Sequence, residues 1–375
     1  MKKSQNLVLV TGGAGFIGSH IVDNLIASGY KVRILDNLDP QVHAGGRPPK
    51  HLNKKAQFIK GSVTNRKVLE SAIDNADYIF HEAAAVGVGQ SMYQIKHYTK
   101  VNTYGTAVLL DILANKPNKV KKIIVAASMS SYGEGSYICK KHGGVRPGLR
   151  EETQLKKKQW EPGCPVCGGK LRPVGITEVE MQDCNSIYAI NKKDQEDMLM
   201  VFGRAYGIPT VALRYFNVFG PRQSLSNPYT GVAAIFLSRL MSGNRPVIYE
   251  DGLQTRDFIS VHDIARVNIL ALKSDKADGK VFNVGTCNPI PIKKVAEVLA
   301  DLLGVKIKAE ITGKFRAGDV RHCFADITKI KDKLGFSPSI SFESGMEEII
   351  KWSASQKAVD KFEKARKELV QRKLA

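Results

Sequence analysis

The stretch Thr11-Gly12-Gly13-Ala14-Gly15-Phe16-Ile17-Gly18 decides how this 375-residue chain is read. It holds two overlapping glycine spacings, Gly13-x-Gly15-x-x-Gly18 and Gly12-x-x-Gly15-x-x-Gly18. Before it, Leu7-Val8-Leu9-Val10 reads as a buried strand; after it, Phe16 to Ser28 has the spacing of an amphipathic helix, and Lys31 to Leu35 reads as a second strand. Glycines at a strand-to-helix turn let the backbone approach a pyrophosphate, and the free amides of the helix start favour that anion. Asp36 ends the next strand, where a carboxylate accepts ribose hydroxyls and repels a 2′-phosphate. NAD is therefore the expected cofactor, with Gly12, Gly13, Gly15, Phe16, Ile17, Gly18, Asp36 and Asn37 around it.

Working outward, apolar runs at Phe58-Ile59, Tyr78-Ile79-Phe80, Ile123 to Ala126 and Thr210 to Leu213 alternate with helical spacing over Lys67–Ile73, Thr103–Leu113 and Ala189–Ala205. That alternation predicts an α/β fold, a Rossmann-type doubly wound parallel sheet. Beyond Phe219 a smaller substrate-binding lobe is expected, with helices near Gly231–Met241 and Ile292–Leu303. Residues 137–184 break the pattern and read as an inserted module. The expected division is residues 1–136 and 185–218, with about 255–285, for the dinucleotide domain. Residues 219–254 and 286–375 form the second lobe, ending in an amphipathic helix through Val359, Phe362, Leu369 and Val370.

The chain is 43% hydrophobic and 25% charged, which excludes a disordered or collagen-like protein. No apolar run reaches the roughly 20 residues of a membrane helix, so no membrane partner is expected. Six cysteines are too sparse for a disulfide scaffold and point to reduced thiols in a cytoplasm. The net charge of +20 attracts any anion without choosing among them. Its clusters, Lys156-Lys157-Lys158 and the tail from Lys357 to Lys373, carry one aromatic between them, Phe362, too few to interleave with the charges, so no nucleic-acid partner is expected.

Tyr188 and Lys192 lie four residues apart on a predicted helix with Asn185 or Ser186 as its cap, hence on one face. An ammonium beside a phenol draws the phenol's pKa from about 10 toward neutrality and makes a base able to take an alcohol proton. Ser128, at the end of the Ile123–Ala126 strand, is placed to hold the substrate oxygen, with Ser130 as its rival. Tyr137 and Lys141 repeat the spacing, but in the insertion, where no helix would align them.

Within the insertion, Cys139-Lys140-Lys141-His142 and Cys164-Pro165-Val166-Cys167 form two knuckle-like pairs. Four such ligands suit a closed tetrahedral Zn²⁺ site of the Cys3His type, a staple for a segment with little apolar core. Cys184 competes with His142 as fourth ligand; Cys287 and Cys323 read as buried thiols.

Together the glycine turn, His81-Glu82-Ala83-Ala84, Asn102, Ser128 with Tyr132 to Gly135, Tyr188 with Lys192, Leu213 to Asn217 before Gly220-Pro221-Arg222, Thr255-Arg256-Asp257-Phe258, Val261-His262-Asp263, Phe282 to Gly285 and Gly318-Asp319-Val320-Arg321 are similar to one family. The chain resembles the extended short-chain dehydrogenases/reductases that act on nucleotide sugars. The resemblance implies a nucleotide-diphosphate sugar as substrate, its diphosphate held by Asn217, Arg256 and Arg321, with Arg222 a lesser candidate. It also implies Ser62, Val63, Ala83, Ala84, Asn102 and Tyr215 at the cofactor, and a homodimer through the Thr103 and Tyr188 helices. Gly61-Ser62-Val63 departs from the family, which usually has Asp after that glycine. Dehydratases of the family carry an acid pair after the catalytic Ser or Thr. Met129 and Ser130 stand there instead, which points to C4 epimerisation, or to a reductase or dehydrogenase on the same scaffold. The insertion, with Val145-Arg146-Pro147-Gly148-Leu149-Arg150 and Trp160-Glu161-Pro162, resembles that of a subgroup, the dTDP-L-rhamnose 4-epimerases. A zinc-containing nucleic-acid-binding protein is the alternative from another class.

Overall fold

Strands that are apolar on both faces must be covered on both, and here they pair into a seven-stranded parallel sheet. A computed structural model describes residues 6–316, 318–372 and 374. Across the sheet the strands are Gln57–Lys60, Lys31–Asp36, Leu7–Thr11, Tyr78–His81, Lys122–Ser128, Thr210–Tyr215 and Lys280–Val284. The chain steps outward from Leu7–Thr11 on one side and returns on the other with Tyr78–His81. Such a reversal opens a crevice at the carboxyl ends of the strands. The glycine turn enters it from one strand and Glu82-Ala83-Ala84 from the next.

Helices Phe16–Ala27 and Val261–Lys273 pack together over Val8, Val10, Ile124 and Leu213. On the opposite face Gly105–Asn115 and Ile187–Tyr206 cover Leu9, Ile123, Val125 and Ala212. Of the two expected caps, Ser186 starts the second of these helices, accepting from Ala189 N at 3.1 Å. The helix expected to start at Thr103 begins at Gly105 instead, after a π-helical turn over Lys100–Tyr104. Beyond Phe219, helices Val232–Met241, Ile292–Leu303 and Phe342–Ser353 bury a separate cluster that includes Phe219, Leu237, Leu299 and Met346. The C-terminal helix Phe362–Gln371 docks through Ala365 and Leu369, with Glu368 accepting from Tyr93 (2.7 Å) and Tyr229 (3.0 Å). Val359 and Val370, expected on its apolar face, are exposed.

The insertion forms a small antiparallel sheet, Ser136–Cys139 between Gly143–Val145 and Leu171–Val174. Charge ties it to the second lobe: Arg150 grips Glu250 through both guanidinium arms (3.0 and 2.8 Å), with both partners buried. Its far end joins the body by a bridge between Ile176 and Ala325. All six cysteines are unpaired, and Cys323 is buried. Cys287, read as buried, is exposed on a turn with φ of +60°, its amide bonded to Asp257. No described helix is long and apolar enough to cross a membrane.

Candidate active site

The glycine turn meets the facing loop backbone to backbone. A Cβ at Gly12 (φ +69°) would lie 2.8 Å from Ala83 N, and one at Gly18 would lie 2.3 Å from the Gly12 carbonyl oxygen. No side chain caps the helix at Gly15, so the amides of Phe16, Ile17 and Gly18 remain available to an anion. Asp36 is buried at the end of its strand, accepting from Ala14 N (3.1 Å) and Leu38 N (2.9 Å). Gly13 packs against Ile34. These residues fit a dinucleotide: a cradle any Cβ would fill, uncapped amides and a fixed carboxylate.

Other residues assigned to the cofactor serve the wall of the crevice. Asn102 spends its amide on Ala85, accepting from N (2.8 Å) and donating to O (3.1 Å), and so fixes the loop carrying Ala83 and Ala84. The Tyr215 phenol donates to Glu82 (3.2 Å) and accepts from Asn268 (2.8 Å). Asn37 is exposed and bonds Asp39 N. Ser62 turns its hydroxyl to Thr64 (2.9 Å) and Val63 is buried against Gly105, so neither side chain is free for an adenine ring.

The structure does bring Ser128, Ser130 and Tyr188 together. Ser128 ends its strand at the carboxyl edge of the sheet, and its Oγ accepts from Ser130 N (3.2 Å) and Ser130 Oγ (2.9 Å). Tyr188 lies beside Ser128, packs edge-on to Tyr98 and anchors its amide on Ser91 Oγ (3.0 Å). Lys192 follows one turn later but donates to Gln195 Oε1 (2.8 Å). The expected acidification is therefore not in place: burial pushes the Tyr188 phenol up to about 12, opposed only by Ser128. Burial likewise pulls Lys192 down to about 8, against the carboxylates of Glu82 and Glu196. Glu82 is pushed up to about 7 by burial, opposed by Lys192 and Tyr215. Three perturbed groups in one crevice mark a site built for proton transfer.

Of the four residues expected at a diphosphate, two remain available. Asn217 buries a side-chain oxygen without a partner, and Arg256 bonds only backbone carbonyls, those of Thr255, Val320 and Arg321. Arg222 is ion-paired to Asp23 on the first helix at 2.8 Å, apart from them. Arg321 is a correction. Its fork is 1% exposed and saturated by Glu161, Glu250 and Asp251 at 2.6–3.0 Å, because it leads into the buried His322–Cys323 strand.

In the insertion, Cys139, His142, Cys164 and Cys167 place their ligand atoms within 4.8 Å of one another. His142 Nδ1 is 3.6 Å from both Cys139 Sγ and Cys164 Sγ, and Cys139 Sγ is 3.9 Å from Cys167 Sγ. The Lys141 amide, then His142, pulls the Cys139 thiol down to about 6. Cys184, the rival ligand, bonds the Ser131 carbonyl instead.

Residues 8–152 match the NAD dependent epimerase/dehydratase family, and residues 168–349 match GDP-mannose 4,6 dehydratase. A dTDP-L-rhamnose 4-epimerase of Burkholderia thailandensis is 34% identical over 352 residues, covering 93% of this chain and 95% of that protein. The chain belongs to the NAD-dependent epimerase/dehydratase family. Among solved structures, the UDP-glucose 4-epimerase of Thermotoga maritima with UDP-glucose is 31% identical at a TM-score of 0.74, covering 93% of this chain and 98% of that one. The Thermus thermophilus UDP-glucose 4-epimerase in complex with NAD is 28% identical at 0.74, covering 94% and 100%.

For this epimerase/dehydratase-family chain, two crevice residues, Glu82 and Gln195, escaped the sequence reading, and so did the half-exposed Arg316. Glu82 stands within the His81–Ala84 stretch, where an acid beside alanines at a strand end is itself a signal. Gln195, one turn beyond Lys192, captures the ammonium. Arg316 lies over the Tyr249 ring at 4.7 Å and pairs with Asp319, with its side chain 42% exposed.

Proposed function

We propose that this chain is an NAD-dependent nucleotide-sugar 4-epimerase, which oxidises C4 of the sugar, lets the 4-keto ring turn about its phosphate linkage, and reduces it from the other face. The observation that carries this reading is the approach of Tyr188 to Ser128 at the edge of the glycine-turn crevice, with Met129 and Ser130 rather than acids following Ser128. NAD, when bound, supplies the hydride acceptor and donor. Tyr188 takes the 4-hydroxyl proton and later returns it, while Ser128, held by Ser130, orients the same oxygen. A phenol near 12 needs a positive charge beside it to act at neutral pH, and Lys192, on the same helix face, supplies it by leaving Gln195. Arg256, Asn217 and the accessible Arg316 would hold the diphosphate, guanidinium forks matching its paired oxygens. dTDP-L-rhamnose is the proposed sugar nucleotide, from likeness to the Burkholderia protein; UDP-sugars are the competing class.

The test is incubation of the purified holoenzyme with dTDP- and UDP-sugars, reading the C4 configuration by NMR. Inversion at C4 without added NADPH is expected, and Tyr188→Phe should abolish it while NAD stays bound. Turnover only with added NADPH would replace this reading by the reductase.

The four-ligand cluster is proposed to hold structural Zn²⁺. Tetrahedral zinc with Zn–S of about 2.3 Å and Zn–N of about 2.0 Å sets its ligand atoms about 3.5–3.8 Å apart, close to those seen here. Metal analysis of protein purified without chelator checks it. A cytoplasmic homodimer is the proposed working state. Tyr104, Ile190 and Val201, each about half exposed, lie on the helices that would meet.

A further inference from the structure

The run Val145 to Arg150 contains two arginines, and they do different work. Arg150 binds the second lobe through Glu250 and the Asp319 carbonyl (2.9 Å). Arg146 points the other way. Its Nη2 donates to the carbonyls of Tyr132 (2.6 Å) and Glu134 (3.0 Å), where the chain enters the insertion, and its Nη1 donates to the carbonyl of Met181, where the chain leaves it. Three carbonyl dipoles converging on one point repel one another unless a cation sits between them, and a planar fork satisfies all three.

Both ends lead directly to reacting groups. On the entry side Ser131 Oγ donates to the Ser128 carbonyl at 2.8 Å. On the exit side Gln182 donates to Ser131 Oγ (2.8 Å), and the two backbones touch so closely that a Cβ on Gly133 would lie 2.3 Å from the Asp183 carbonyl. Ser186 then caps the helix whose second residue is Tyr188. Arg146 is placed by the hairpin that pairs Cys139 with Gly143 and Tyr137 with Val145, the same hairpin whose turn carries His142.

We propose that Arg146 is a positioning residue that clasps the two ends of the insertion and so holds Ser128 in register with Tyr188. The inference rests on the epimerase reading and makes the module part of the catalytic geometry. A small misplacement of a reacting group costs catalysis far more than binding.

The experiment compares Arg146→Ala, Arg146→Lys and, as control, Arg172→Ala, exposed on the Leu171–Val174 strand of the same module, all as NAD-loaded, metal-containing protein. For Arg146→Ala, kcat should fall about tenfold or more with KM within about twofold, as expected when geometry rather than affinity is lost. NAD and metal content should match wild type, Arg146→Lys should be intermediate, and millimolar guanidinium should restore part of the rate. Amide exchange should quicken over 131–135 and 181–186 but not over 164–170. Unchanged kcat and exchange would overturn the proposal, as would a loss that tracks metal or NAD content and resists guanidinium. If wild-type protein inverts no nucleotide sugar, the epimerase reading fails, while the exchange measurement still decides the clasp.

Discussion

The glycine turn and the inserted module both use glycine freely, for opposite reasons. In the turn, a Cβ at Gly12, Gly13 or Gly18 would meet another atom at 3.1 Å or less. In the module, Gly143, Gly148 and Gly168 face open space and are needed only for positive φ, 67–71°. The turn is thus specified by close packing against a large buried sheet, whereas the module is held by charge and, on the reading proposed above, by a metal at its cysteines. Close packing fails locally and selectively; a stapled segment fails as a unit when its staple goes.

Removing the staple is the sharpest way to break this contrast. A structural zinc site contributes on the order of 10 kcal/mol in small metal-folded domains, so a strong chelator should melt residues 137–184 and stop turnover. The sheet should survive with NAD bound. Far-UV circular dichroism that changes little, together with fast amide exchange confined to the module, is the expected result. Loss of NAD in step with the metal would show that the two regions are not independent.

The next largest effect is expected at Arg321, where the module meets the second lobe. Arg321→Met strips Asp251 of its ion pair and leaves buried Glu250 to Arg150 alone, so the loss should sit at the low end of a broken buried pair, about 3 kcal/mol. Urea unfolding should register it, and NAD affinity should not.

How legible these regions were follows from how local their determinants are. Thr11 to Gly18 could be read directly because strand, turn and helix start are contiguous. Ser128 and Tyr188 could be found because one ends a strand and the other shares a helix face with Lys192. Arg321 could not be placed correctly, since its partners Glu161, Glu250 and Asp251 come from two other segments whose approach no local pattern announces. The Lys192 ammonium was misdirected for the same reason. Helix spacing put it on the right face, but the pull of Gln195 and Glu82 within that crevice decides where it points. Four ligands in two knuckles carried the metal cluster, while the clasp of Arg146 on three carbonyls had no signature at all.

A smaller effect tests the turn by exchanging one type of glycine for the other. Gly18→Ala drives a methyl into the Gly12 carbonyl, which cannot swing away, and overpacking of this kind costs about 1–3 kcal/mol. Gly168→Ala meets no neighbour and bears only the left-handed backbone penalty of about 1–2 kcal/mol. The two variants should therefore differ little in melting temperature and greatly in cofactor content, with NAD lost only from Gly18→Ala.

The smallest expected effect is a pH dependence to which two histidines near the turn contribute. His20, on the first helix, and His51 are both pulled down to about 4, by burial first and Arg222 second. An unfolded histidine titrates near 6.5, so between pH 6.5 and 4 the unfolded chain binds protons that the folded chain refuses. Stability conferred by the neutral rings is complete above 6.5 and falls as pH drops toward 4. At pH 5 each should cost on the order of 1–2 kcal/mol relative to pH 7. His20→Gln, which can still donate to the Pro221 carbonyl now bonded at 3.1 Å, should flatten the slope of urea midpoint against pH in this window. Measuring the difference between variant and wild type cancels acid release of metal from the module, which both share. An unchanged slope would mean that His20 takes up its proton without loosening the turn, and that packing there is less strict than the glycine contacts require.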